Sequence, residues 1–592
     1  MTLSGLMERR EVAAAIGAGP SREALVHLAA VVAGTVMIVI AAFNQPYNQN
    51  EFRQMTPYGS DTIDGITSGT RQPPLDPLLG ALVQRLFGIG QLQQRLVPVL
   101  AGIGVLVVMS LLLRRLRTGI GGSVAIWFLA TSPLLIRYSA YTRPYATPLF
   151  LMVLFVYAGH RWLEDRRPGW LVVAALSAAA LPATRVPEPT VFLVVAPATL
   201  LTFSLVGRLQ WARTLPLAAV CGGALLLVGY PMYKSLSEQS AGLYDPSPAG
   251  VADRFDTGVT ELLRTWLPLA ADWFPWWPLT VALLLLAVVL PGVRNRLASW
   301  WMFWPLLAAP VAFVIAYHFV NSYPLDVRPY RPRFFVFFVP AHVLLVTALA
   351  MFAAGAESAA TRIRQTVAVV LAVALLGQLP ATARVTFENE APDFEQASTA
   401  IMELPPDAIV LYETPSPVGM WHQPFSGVNR YMGEDARYVG YLGKLVIDPS
   451  SLPERGPVYM LMLDSECAYS VVCDLEPATW DGNVPGWSVK ERFDRFTLYE
   501  PDRRLHGTQG VIEALTDFGR SLGPDYGYFA VFLAARLLKD EGRGPRGRAL
   551  IAEMYAEAGP EKARAIHKWM KRKNRNPFDE SPVPPNQDRE RR

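Results

Sequence analysis

The sequence predicts a polytopic α-helical membrane protein of about 11 spans, followed by a C-terminal extracytoplasmic α/β domain and a helical extension. Three observations carry this prediction. The chain of 592 residues is 51% hydrophobic and only 18% charged, which is more apolar than an average soluble protein. Its apolar residues gather in long runs separated by short polar loops as far as Leu379. Beyond that point the runs shorten and alternate with polar segments, the pattern of strands and amphipathic helices.

The candidate spans lie at Leu25–Ala42, Leu96–Leu113, Ser123–Ile136, Thr147–Ala158, Gly169–Ala183, Val191–Val206, Leu215–Met232, Pro278–Val293, Trp300–Val320, Phe335–Ala353 and Val367–Leu379. Several fall short of the ~20 residues of a perpendicular helix, so their ends extend into flanking polar residues. The first run is too long for a signal-peptide core and is followed by Asn44-Gln45-Pro46, so it reads as a retained anchor. Arg9, Arg10 and Arg22 precede it; Arg114, Arg115 and Arg117 follow the second run, and Arg161, Arg166 and Arg167 the fourth. Arg208 and Arg213, Arg294 and Arg296, and Arg362 and Arg364 continue the alternation. Arginine on every second short loop places those loops and the N-terminus in the cytoplasm, and an odd number of spans leaves the C-terminal part outside.

The predicted organisation is a cytoplasmic N-terminus (1–24), a transmembrane domain (25–385) with outer loops at 44–95 and 234–277, an extracytoplasmic α/β domain (386–502), a helical segment (503–575) and a disordered tail (576–592). In the second of these loops Phe255, Val259, Leu262, Leu263, Trp266 and Leu269 fall at helical spacing before the aromatic cluster Trp273–Trp277, the pattern of a helix lying on the membrane surface. In the α/β domain, Asp393–Leu404 reads as a helix and Ala408–Tyr412, Val458–Leu463 and Phe493–Tyr499 as strands. A surplus of Arg over Lys, abundant Ala and the absence of any Asn-x-Ser/Thr sequon suit a bacterial plasma membrane. No basic stripe is present, which argues against nucleic-acid binding.

The three cysteines are too few for a disulfide scaffold, and no Cys/His spacing resembles a zinc site. Cys221 sits inside an apolar run. Cys467 and Cys473 lie close together in the part expected outside the cytoplasm, where a disulfide is expected. Two predicted outer segments are rich in arginine, Arg137–Arg143 and Arg328–Arg333. Translocated arginine works against the topology signal, and a phosphate group is a natural partner for it, with headgroup anchoring as the alternative.

An acidic residue soon after the first span, Asn50-Glu51, then Gln72-Pro73-Pro74-Leu75 and the turn Arg85-Leu86-Phe87-Gly88 resemble the membrane glycosyltransferases of the protein O-mannosyltransferase and lipid A aminoarabinose transferase type. The resemblance continues in Ser132-Pro133-Leu134-Leu135-Ile136-Arg137-Tyr138-Ser139, in Arg143-Pro144-Tyr145 and in Pro332-Arg333-Phe334-Phe335 with Pro340. It implies a GT-C fold that binds a polyprenyl-phosphate-linked sugar and transfers it, with inversion, to an acceptor hydroxyl on a glycan, lipid or protein at the outer face. It further implies Glu51 as the base, with Asp61 or Asp64 as substitutes, and Arg137, Arg143, Arg331 and Arg333 at the donor phosphate. A divalent cation is a further way to offset the phosphate charge. Two departures stand out. The family usually has Asp where this chain has Asn50, whose amide cannot act as a base, and often His or Lys where it has Gln72. Asp61, Asp64 and Asp76 otherwise read as solvated loop carboxylates. The alternatives to an enzyme are a non-catalytic membrane scaffold or sensor and a transporter of lipid-linked sugars. The transporter is disfavoured because the spans hold few ionisable residues beyond His27, His318 and His342.

Overall fold

The computed structural model describes residues 22–45, 51, 54, 55, 58, 60–68, 73–88, 91–232, 277–320, 332–355, 361–387, 394–413, 439–441, 456–463, 485–493, 496–521, 528–560, 563, 566, 567, 577 and 578. They divide into two units, one of Met1–Gln45 with Gln54–Asn389 and one of Pro46–Arg53 with Glu390–Arg592.

The first unit is all-helical among its described residues. Its helices are α1 (Arg22–Asn44), α2 (Ile63–Ser68), α3 (Leu75–Phe87), α4 (Gln91–Arg115), α5 (Ile120–Ala130), α6 (Pro133–Ser139), α7 (Ala146–Asp165), α8 (Pro168–Thr184), α9 (Pro187–Leu205) and α10 (Trp211–Ala224). After these come α11 (Trp277–Val289), α12 (Pro291–Ser299), α13 (Phe303–Val320), a 3₁₀ helix at Pro332–Phe338, α14 (Val339–Ala354) and α15 (Thr361–Phe387). Each predicted apolar run is largely helical, some of them across a break or a change of helix type. Among the described residues, however, seven helices are long and apolar enough to cross a membrane, or eight if the bent pair α5–α6 is one span. Other predicted runs lie on shorter or divided helices. The run at Pro278–Val293 splits at Leu290, where Pro291 opens a new helix, and α8 is a shorter apolar helix.

The break between α5 and α6 bends the chain by 50°. Pro133 cannot donate a backbone bond and restarts the helix, and the Ser132 hydroxyl accepts from the Leu135 amide at 3.4 Å. The carbonyls freed at the break find partners on α15. Gln378 Nε2 donates to the Phe128 carbonyl at 3.1 Å and to Thr131 Oγ1 at 2.5 Å, and Thr382 Oγ1 donates to the Thr131 carbonyl at 2.5 Å. In hydrocarbon a broken helix persists only where neighbouring side chains re-satisfy its backbone in this way.

Close packing depends on small residues. A Cβ at Gly34 on α1 would lie 2.8 Å from Leu106 Cδ1 and 3.1 Å from Ala130 Cα, and one at Gly121 would lie 2.8 Å from the Thr347 carbonyl. Helices in lipid associate through such contacts because no hydrophobic force drives them together. At one end of the unit the arginine-bearing loops meet. Arg115 pairs with Glu164 at 2.6 Å and Asp165 at 3.1 Å, Arg213 donates to the Leu163 carbonyl at 2.5 Å, Arg166 reaches Gln210 at 2.9 Å, and Arg208 donates to the Ala298 carbonyl.

In the second unit a five-stranded sheet has the order β2-β1-β3-β5-β4, with β1 at Ile409–Glu413, β2 at Val439–Tyr441, β3 at Val458–Leu463, β4 at Trp487–Arg492 and β5 at Phe496–Pro501. Strands β2, β1 and β3 are parallel, while β5 and β4 run antiparallel to complete the sheet. The continuous apolar runs of β1 and β3 suit central strands covered on both faces. Helix α16 (Phe394–Met402) precedes the sheet, and α17 (Gly507–Ser521), α18 (Tyr528–Asp540) and α19 (Gly544–Ala558) follow it. Ile409, Val458, Met460, Val511, Leu515, Ala534 and Ile551 belong to one core, so α17, α18, α19 and the sheet form a single hydrophobic unit.

Candidate functional site

The end of the first unit away from the arginine-bearing loops gathers the segments that flank α3, α4, α7 and α9. Arg95, fully buried at the start of α4, caps the end of α1 by donating through Nη1 to the Ala42 carbonyl at 2.9 Å and to the Gln45 carbonyl. The last residues of α1 in turn hold α15, with Asn44 Nδ2 on the Thr386 carbonyl at 3.2 Å and Gln45 Nε2 on the Val385 carbonyl at 2.6 Å. Arg95 was not singled out from sequence, since an arginine before an apolar run looks like an interface anchor.

The loop between α6 and α7 folds as two successive three-residue turns, the Arg143 amide on the Tyr141 carbonyl and the Tyr145 amide on the Arg143 carbonyl, each at 2.7 Å. Thr142 Oγ1 fastens it to α4 by donating to the Gln94 carbonyl at 3.2 Å. Tyr138, Tyr141 and Tyr145 form an aromatic cluster with centroid separations of 5.2–6.1 Å. The Arg185 guanidinium lies 4.8 Å from the Tyr145 ring and pairs through Nε with Glu188 Oε2 at 2.5 Å. Glu188 stands in the first turn of α9, where the positive end of the helix dipole favours a carboxylate. It is 2% exposed, and its Oε1 has no hydrogen-bond partner.

Asp76 corrects a sequence expectation. Read as a solvated loop carboxylate, it is instead buried in the first turn of α3, where Thr147 Oγ1 donates to its Oδ1 at 2.7 Å and its Oδ2 has no partner. Burial pushes its carboxyl up to about 7, against the lowering influence of the Thr147 hydrogen bond. A Pro-Pro-Leu-Asp string carries no periodicity that would show this, because the burial is created by α4, α7 and α8 rather than by neighbours in sequence.

The predicted site residues divide as follows. Glu51 is buried and belongs to the segment Pro46–Arg53 of the second unit. Asp61 and Asp64 are exposed, Asp64 on α2. Arg137 lies in the last turn of α6 and Arg143 sits in the turn before α7, both partly buried. Pro73 is buried and Pro74 leads into α3. Asn50, Gln72, Arg331, Cys467 and Cys473 lie outside the described residues; Arg333 falls on the 3₁₀ helix, with its side chain likewise outside them. The expected surface helix between 234 and 277 also lies outside them. Among the described residues no three His, Cys, Asp or Glu side chains converge as a metal site would require.

Residues 71–233 match a family model described as dolichyl-phosphate-mannose-protein mannosyltransferase. Two solved structures of ArnT from Cupriavidus metallidurans, one in the apo state and one bound to undecaprenyl phosphate, are similar at 14% identity with a TM-score of 0.47, over 80% of this chain and 97% of theirs. No curated protein matches the sequence.

Proposed function

We propose that this multi-pass membrane protein transfers a sugar from a polyprenyl-phosphate donor to an acceptor hydroxyl at the outer face of a bacterial plasma membrane. One observation carries the proposal. The matched segment, 71–233, contains the Pro73-Pro74 turn, Asp76, the Arg137–Tyr145 loop, Arg185 and Glu188, so the similarity and the polar cluster coincide. The gathering of arginine-bearing loops at the opposite end of this unit supports an extracytoplasmic position for the cluster.

In this reading Glu51 takes the proton of the acceptor hydroxyl as its oxygen bonds to the anomeric carbon. The bond from that carbon to the phosphate oxygen breaks at the same time, and the electron pair leaves with the polyprenyl phosphate. A single displacement inverts the anomeric configuration. Arg137, Arg143, Arg331 and Arg333 offset the charge that grows on the phosphate, since guanidinium groups stay charged and can donate paired bonds to its oxygens. A divalent cation would be a further way to offset that charge, and chelation should then lower transfer. Asn50, lacking a basic lone pair, supports a second reading as a non-catalytic scaffold. Glu51→Gln in a reconstituted transfer assay separates the two: transfer should fall by at least ~10²-fold, as expected for loss of a general base. Full activity in that variant would move the role to Asp61 or Asp64, and absence of transfer in the unaltered protein would favour the scaffold.

A further inference from the structure

Thr147 stands in the first turn of α7, directly after Arg143-Pro144-Tyr145, and Asp76 stands in the first turn of α3, directly after Pro73-Pro74. Their hydrogen bond therefore joins the two loops on which the proposed transferase reading depends. The bond is unusual in its chemistry. A buried carboxylate that remains charged ordinarily accepts two or three hydrogen bonds or faces a cation, and Asp76 accepts one, with Oδ2 left bare. A neutral acid in the same place has far less charge to solvate.

We propose that Asp76 is a positioning residue that ties the Pro73-Pro74 turn to the start of α7 through Thr147, and that it does so as a neutral carboxylic acid. It acts by holding the Arg143 turn in register with α3. Among the described residues α3 packs mainly on α2, α4 and α8 and is bonded to α7 through Thr147. Their ionisable side chains are Asp64 on α2, which is exposed, and Arg95, Arg114 and Arg115 on α4; α8 has none. Arg95 is engaged by carbonyls at the end of α1, and Arg115 by Glu164 and Asp165. On α3 itself Arg85 donates to the Ser60 carbonyl at 2.8 Å, and α7 bears His160, Arg161, Glu164 and Asp165 at its far end. None of these charges governs Asp76, whose carboxyl is raised to about 7 by burial, opposed by the Thr147 bond. Ionisation above neutrality would place an undersolvated charge between the two loops and loosen them.

Because it rests on the transferase reading, the inference is tested by two measurements, one of which needs no substrate. In the first, transfer is followed against pH in the unaltered protein, Asp76→Asn, Asp76→Ala and Thr147→Val. The unaltered protein should lose about tenfold per pH unit above neutrality, the slope of a single ionisation. Asp76→Asn, a neutral isostere that still accepts from Thr147, should retain activity and lose this limb, whereas Asp76→Ala should be impaired throughout. Thr147→Val removes the bond that lowers the carboxyl, so its limb should move to higher pH. Loss of activity without a shift would instead indicate a merely structural contact. In the second, thermal unfolding of the detergent-solubilised protein is followed against pH. A carboxyl raised from 3.8 to about 7 by folding keeps its proton in the folded state while the unfolded state releases it, so stability falls as pH rises across that window. The fall should be shallower in Asp76→Asn. Equal slopes in the two proteins would overturn the neutral acid whatever the protein transfers. Unequal slopes with no transfer by any variant would retain the neutral tether and reject the transferase.

Discussion

Removing the guanidinium at Arg185 while leaving Glu188 in place isolates a carboxylate that is 2% exposed and has no other hydrogen-bond partner. Breaking a buried ion pair from one side costs about 3–5 kcal/mol, most of it the cost of the lone charge left behind. The Arg185 contact with the Tyr145 ring adds about 0.5–1 kcal/mol. Arg185→Met should therefore destabilise the first unit by about 3–5 kcal/mol. Glu188→Gln should cost less, about 1–2 kcal/mol, because Arg185 is 14% exposed and keeps its aromatic contact. The double variant should recover much of the loss, giving a coupling of about 2–3 kcal/mol. Unfolding in mixed micelles, followed by tryptophan fluorescence, measures all three. A cost below about 1 kcal/mol for Arg185→Met, or additive losses in the double variant, would show that Glu188 is not held as a buried anion.

The break between α5 and α6 should weaken when its partners on α15 are removed: Gln378→Leu and Thr382→Val are each expected to cost about 0.6–1.7 kcal/mol, the range for side-chain hydrogen bonds in membranes. Unfolding midpoints within error of the unaltered protein would mean that the Phe128 and Thr131 carbonyls are satisfied in another way. Cys467 and Cys473 are expected to be bridged, so thiol labelling of unreduced, denatured protein should modify neither, and modification of both would show a free pair.

The membrane-spanning part was legible in the sequence because hydrocarbon imposes long apolar runs that survive without any knowledge of neighbours. Where those runs break was less legible. Thr131-Ser132-Pro133 holds the signal for a stop and restart, but the side chain that makes the break tolerable, Gln378, lies 247 residues further on. The parallel strands β1 and β3 were visible as apolar runs, whereas β4, Trp487–Arg492, exposes every residue after the first and carries no alternation to find. At the candidate site the arginines of the Arg137–Tyr145 loop were noticed because charge on an outer loop conflicts with topology. Asp76 reads as a solvated loop carboxylate and Glu188 carries no signal at all, since burial rather than residue type makes them chemically unusual, and burial is a property of the assembled helices. Arg185 and Glu188 lie three residues apart beside prolines, which in sequence looks like an ordinary connector between spans.

The most direct test follows the leaving group. Protein reconstituted with a radiolabelled polyprenyl-phosphate sugar and an acceptor bearing a free hydroxyl should release one polyprenyl phosphate for each sugar transferred, with inverted anomeric configuration in the product. Both should fall together in Glu51→Gln. Transfer that instead releases a nucleotide, retention of configuration, or lipid crossing the bilayer with its sugar still attached would contradict the account.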